Sequence, residues 1–209
     1  MTEFKEIRQL FAITENFGFS VAEISEYKKI CDSIPKVLED YYAQLGKIEA
    51  LNHTQNELVE PSRLVLSKNQ DFLIFCGENQ WVCFWGIDKN DLSMDNPPIY
   101  ISYDNEVWTK ETECLTDFLN ATASVQAIFA LPFGSGEFVS ISREEFEIFE
   151  KKFKKRDFAL PHWAGTHFYG NHDNEVIMIQ QNEDHYDMFY ASNDKKRYKE
   201  MNKILSKLG

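Results

Sequence analysis

Four cysteines, Cys31, Cys76, Cys83 and Cys114, are the candidate nucleophiles of this chain. A thiol becomes a nucleophile when an imidazole or a helix N-terminus lowers its pKa and substrate can reach it. Cys76 and Cys83 stand in FLIFCGENQWVCFWGI, with no histidine near them in sequence. Both alternating faces are apolar on either side of the Glu78-Asn79-Gln80 island, so the two thiols read as small apolar residues of buried strands. A second possibility is metal. His162, His167 and His172, with Asp173, fall in HWAGTHFYGNHDNE, and His185 follows. Imidazoles and a carboxylate could hold zinc. Spacings of five fit neither one helical face nor one strand face, however, and neither HExxH nor a paired-cysteine signature is present. The expectation is turn and surface histidines, with no metal and no cofactor.

Three further features carry weaker chemistry. The doublets Glu39-Asp40, Glu144-Glu145 and Glu183-Asp184 place adjacent carboxylates on different faces of a helix, and a solvated face is expected. PFGSGEF holds Gly134 and Gly136 without the lysine of a phosphate-binding loop, so it reads as a turn. KKFKKR, residues 151–156, reads as the last turns of a helix, where lysine complements the macrodipole and Phe153 points inward.

The elements that would position these residues follow from periodicity. Residues 3–13 predict a helix, which Gly18 separates from a second. Ser20 and Glu23 form a capping box opening that second helix, and Pro35 opens a third that Gly46 stops. Strands are predicted at 58–59, 64–66, 72–76, 81–87 and 99–103, and a helix at Thr112–Ala130. Ser142 and Glu145 form a second capping box, with Phe146, Phe149 and Phe153 striping one face of the helix. Strands at 166–170, 175–181 and 186–191 and an amphipathic helix at 194–208 complete the chain. Residues Glu78, Asn79 and Gln80 are expected to connect two antiparallel strands, with Gly77 and Asn79 able to supply positive φ and with Trp81 and Trp85 largely buried.

Acidic residues outnumber basic ones 34 to 22, a formal net charge of −12. Such a surface repels nucleic acid and anionic lipid, and it suits either simple solubility or a basic protein partner. No run approaches the ~20 apolar residues of a membrane span, and the N-terminus has no uninterrupted signal-like apolar core. Cysteines far apart without a CxxC pair read as reduced thiols, which places the protein in the cytoplasm.

GENQWVCFWGI, DNPPIYISYDNEVW and ECLTDFLNATASVQAIFA, in that order after SIPKVLEDYYAQLG, resemble the SUKH superfamily, the Smi–Knr type of bacterial immunity protein and cell-wall regulator. The residues that carry the likeness are Pro35, Glu78, Asn79, Gln80, Trp85, Gly86, Pro97, Pro98, Phe118 and Leu119. Two departures stand out: Lys28 where the family usually has an acid, and Asn96 before the proline pair, with Asp95 one step earlier. The resemblance implies one α+β domain over 1–209, a mostly antiparallel twisted sheet packed with N-terminal, middle and C-terminal helices. The family core would span about 20–130 and an extension the rest. It also implies a non-catalytic module that binds and neutralises a cognate toxin, the alternative being a scaffold or regulator with an endogenous partner. With the charge, it points to a basic, nuclease-type toxin held by Asp88, Asp91, Asp95, Asp104, Glu106, Glu183 and Asp184.

Overall fold

The computed structural model describes residues 2–208. Its N-terminal helices start where their caps are. Helix α1, Lys5–Phe11, buries Ile7 and Leu10 and ends at Ala12, whose φ of 54° turns the following N–H, that of Ile13, back to the Arg8 carbonyl. Ser20 accepts the Glu23 N–H and Glu23 returns a bond to the Ser20 N–H, opening α2, Val21–Ile24, which tightens into a 3₁₀ turn to Lys29. Pro35 precedes α3, Lys36–Leu45, whose inner face carries Val37, Leu38, Tyr41, Tyr42 and Leu45. Gly18 does more than end α1's segment: a Cβ there would stand 2.3 Å from the Ala43 carbonyl, so only glycine lets this loop run against α3. A short helix, α4, spans Glu49–Asn52.

The first sheet contains β1 (Asn56–Leu58), β2 (Val65–Leu66), β3 (Phe72–Glu78), β4 (Phe84–Asp88), β5 (Ile99–Ser102) and β6 (Thr109–Thr112). Its antiparallel order is β1-β3-β4-β5-β6, with β2 also paired to β3. After α5, Leu115–Ala130, come β7 (Phe133–Gly134), β8 (Val139–Ile141), α6 (Arg143–Glu150), β9 (Lys155–Leu160), β10 (Thr166–Tyr169), β11 (Glu175–Gln181), β12 (Tyr186–Ser192) and α7 (Lys195–Leu205). The second sheet runs β7-β12-β11-β10-β9, with β8 also on β12. Among the described residues the fold is α+β, with seven helices and two antiparallel sheets of six strands each.

Helix α5 is buried almost all round, through Phe118, Leu119, Ala121, Ala123, Val125 and Ala127, as expected of a helix lying inside a core rather than on its surface. It touches β6 of the first sheet and β9, β11 and β12 of the second. One apolar cluster therefore joins Leu73, Phe75, Trp85 and Ile101 to Leu160, Phe168, Val176 and Met178. A second cluster lies beneath α6 and α7, around Phe149, Tyr169, Ile177, Ile179, Met201 and Leu205. Strand β11 feeds alternate residues to the two clusters, which explains why EVIMI is apolar on both faces. The sheets also meet through a polar contact: Glu111 on β6 accepts the N–H groups of His162 and Trp163, at 3.1 and 3.2 Å, from the turn between β9 and β10.

Several expected elements change. Residues 81–83 lie in the connection between β3 and β4 rather than in a strand. KKFKKR is not helical: α6 ends at Glu150, and Lys155 and Arg156 open β9. Phe153 is buried as anticipated, but the lysines flank it from a turn and a strand end. Strands β6, β7, β8 and β9 lacked the alternation that announces a strand, because each is short or carries charges along its length.

Candidate partner-binding site

The polar island is a turn braced by its own glutamate. Strands β3 and β4 pair from Phe72 opposite Asp88 to Gly77 opposite Phe84. Glu78, buried at the end of β3, accepts the Gln80 N–H at 2.8 Å and the Gln55 side-chain amide at 3.2 Å. The Asn79 N–H donates to the Gln55 carbonyl, and the Trp81 N–H to that of Glu78. Asn79 and Gln80 are exposed, so this part of the expected connection is present.

Trp81 departs from the sequence reading. The positive φ of this turn, 58°, falls on Trp81 and not on Gly77 or Asn79. That conformation, uncommon for a bulky residue, turns the indole away from the core. Cys83 takes the interior place, and Trp81 is 43% exposed while Trp85 is 0% exposed. Gly77 has a different task. A Cβ there would stand 2.7 Å from the six-membered ring of Trp81, so the ring rests directly on the Gly77 backbone.

A groove of about 600 Å³ opens beside this ring, lined by Glu49, Glu57, Glu60, Arg63 and Val65 among others. Register places one wall: Glu57 on β1 is the partner of Gly77 on β3, so its side chain leaves the sheet on the face where the Trp81 ring lies. His53 Nδ1 holds Glu57 Oε2 at 2.7 Å. Among the described residues, neither Glu49 nor Glu60 has an ion-pair partner. The groove sits on the acidic part of the molecule. Residues 1–130 carry 21 acidic against 10 basic residues, whereas residues 131–209 carry 13 against 12.

The acidic residues singled out from the sequence are distributed unevenly. Asp104 accepts the N–H groups of Glu106 and Val107, each at 2.8 Å, and the Ser102 hydroxyl. These bonds hold its carboxyl below the usual range and spend it on its own loop. Glu106 pairs with Lys68 at 2.9 Å, and Lys68 also donates to the Asp104 carbonyl. This ties the loop to the β2–β3 turn, at the end of the sheet where Asp88 faces Phe72. Asp88 accepts the Asn90 N–H, Asp91 lies in the following 3₁₀ turn, and Asp95 is exposed. Glu183 and Asp184 stand apart, in the exposed turn between β11 and β12, where Asp184 bonds His185 at 2.7 Å. Of the doublets, Asp40 is not solvated: it is 4% exposed, accepting the Thr2 N–H and pairing with Lys36.

Of the motif residues, Pro35 caps α3, Trp85 and Gly86 lie in β4, Pro97 and Pro98 lead into β5, and Phe118 and Leu119 are the buried face of α5. The Cys76 and Cys83 thiols are held in their neutral form by burial. Burial pushes Cys83 up to about 12 and Cys76 higher still. His162 and His172 are exposed turn residues, but His167 is a partly buried residue of β10 whose Nδ1 has no partner. Among the described residues no group of three His, Cys, Asp or Glu is placed to hold a metal ion, and no helix is long and apolar enough to cross a membrane.

The sequence reading missed His53, Glu57, Glu60 and Arg63. Their one local signal is the polar stretch between Leu51 and Leu64, which does not reveal the pairing of Glu57 with Gly77. No family model matches the chain, and no match was found among curated proteins or solved structures.

Proposed function

We propose that this protein is a non-catalytic protein-binding module of the immunity type, one that captures a cognate bacterial toxin in the cytoplasm and blocks it. The observation that carries the binding role is Trp81: a large ring turned out of the core, fixed against Gly77, at the mouth of a carboxylate-lined groove. Aromatic anchors with a polar rim are the usual energetic centre of a protein interface. Buried thiols with raised pKa support a role without nucleophilic chemistry. The acidic excess over residues 1–130 supports a partner with a basic functional surface, such as a nuclease-type toxin, whose capture the field would accelerate. The toxin itself rests on the likeness of the GENQ, DNPP and LTDFL segments to SUKH immunity proteins. No cofactor, nucleic acid or membrane enters this reading.

Co-expression with each neighbouring gene product, followed by pull-down and a growth-rescue assay, tests it. The expected result is one toxic neighbour that is bound and silenced, with association slowing steeply as salt rises above ~0.1 M, where the screening length falls below ~10 Å. Capture of a non-toxic endogenous protein would replace immunity with the scaffold role. If no neighbour is toxic and none binds, the immunity reading is overturned.

A further inference from the structure

We propose that the groove beside Trp81 takes an arginine side chain from an extended segment of the partner protein, its guanidinium stacked on the indole and paired with Glu57 and Glu60. This rests on the protein-binding reading and names the chemistry that the site recognises. The Trp81 ring lies over Gly77 of β3, and Glu57 of β1 is the register partner of Gly77, so ring and carboxylate border the same space. His53 engages only Oε2 of Glu57, which leaves Oε1 without a hydrogen-bond partner among the described residues. Glu60 has no ion pair among the described residues, and three carboxylates line the groove against one guanidinium, that of Arg63.

The sign of the site selects the occupant. An acidic segment would meet net repulsion. An apolar one would strip water from Glu57 and Glu60 without giving them a partner, which is costly. A cation with an aliphatic stem satisfies both parts, since the groove also offers the exposed Val65 beside the Trp81 ring. Arginine fits better than lysine because its planar guanidinium stacks on an indole while donating to carboxylates from its edge. The segment is extended because the groove follows β1 and β2, which share one side of β3 at the margin of the sheet, where a further strand-like chain can lie.

The trial uses the intact chain and NMR of its indole N–H groups, assigned by single Trp→Phe substitutions at Trp81, Trp85, Trp108 and Trp163. The probes are capped tripeptides Ala-X-Ala with arginine, lysine, norleucine or glutamate at the centre. The arginine peptide should move the Trp81 signal saturably and leave the buried Trp85 signal in place, with norleucine and glutamate silent and lysine weaker. A Glu57→Gln, Glu60→Gln double variant should weaken binding about tenfold, the scale of two ion pairs lost at a partly exposed site. Gly77→Ala, which displaces the ring without altering any group that would touch the ligand, should weaken it similarly. An unmoved Trp81 signal overturns the assignment, as does norleucine binding as tightly as arginine. A Trp81 shift that follows protein concentration alone would assign the groove to a second copy instead. The two readings fail separately. A neighbour that binds the double variant as tightly as the parent protein removes the arginine site and keeps the binding module. An arginine-specific groove with no binding neighbour keeps the site and removes immunity.

Discussion

Replacing Glu111 by glutamine should remove part of the pH dependence of folding. Glu111 is 4% exposed, and its carboxylate has two backbone N–H partners, from His162 and Trp163. Those bonds favour the charged form, but burial outweighs them and raises the group from the ordinary 4.5 to about 7. A folded-state pKa above the unfolded one means that the fold holds this proton more tightly. The associated stability is fully present below about 4.5 and is lost as pH rises through about 7. At 1.36 kcal/mol per pH unit, the span amounts to about 3 kcal/mol. Glutamine keeps the shape and never ionises, though it gives up one acceptor oxygen at a cost of about 1 kcal/mol. Glu111→Gln should therefore be slightly less stable than the parent at pH 5 and about 2 kcal/mol more stable at pH 8. The groups facing Glu111 do not obscure this. Burial raises both the Cys83 thiol and the Tyr103 phenol, so neither titrates in that window. Burial of His167 lowers its pKa, which costs stability as pH falls below 6.5, but that effect is common to both proteins and cancels in the difference. Urea unfolding followed by tryptophan emission, from pH 5 to 8 at constant ionic strength, gives the difference curve. Parallel curves for the two proteins would refute the buried, proton-retaining carboxylate.

Trp85→Ala should cost about 3–5 kcal/mol, because a wholly buried ring against Phe118 and Trp163 leaves a cavity. Trp81→Ala should stay within about 1 kcal/mol of the parent, and comparable losses from both would contradict the outward Trp81. Arg197→Ala should cost about 3–5 kcal/mol, since Glu175, with a fully buried carboxylate, would lose its ion-pair partner while keeping only the Asn171 and His172 N–H groups; an unchanged urea midpoint would count against that pair. Elemental analysis of protein purified without chelator should find well under one equivalent of zinc, and a full equivalent lost in a His167→Ala, His172→Ala variant would reverse that expectation.

What the sequence determined by itself is the part governed by neighbours a few residues apart. The Ser20–Glu23 and Ser142–Glu145 boxes, the proline start of α3, the long apolar helix expected at 112–130 and found from Leu115, with Thr112 in β6, and β11 at 175–181 all carry their reason locally: a cap bond, a fixed φ, or a period. The island at Glu78 was legible as a connection for the same reason. The orientation of Trp81 was not, because an apolar residue beside a turn fits either face until the backbone chooses φ, and the positive φ at 81 put the ring outside. Tertiary structure alone decided the groove and the junction. Glu57 meets Gly77 across 20 residues of chain, and Glu111 meets His162 across 51. Strand β9 became a strand despite its charges because β10 offered a hydrogen-bonding edge and α5 an apolar face for Leu160. Such pairings are set by which edges remain open once the core has formed, and no short window of residue types records that.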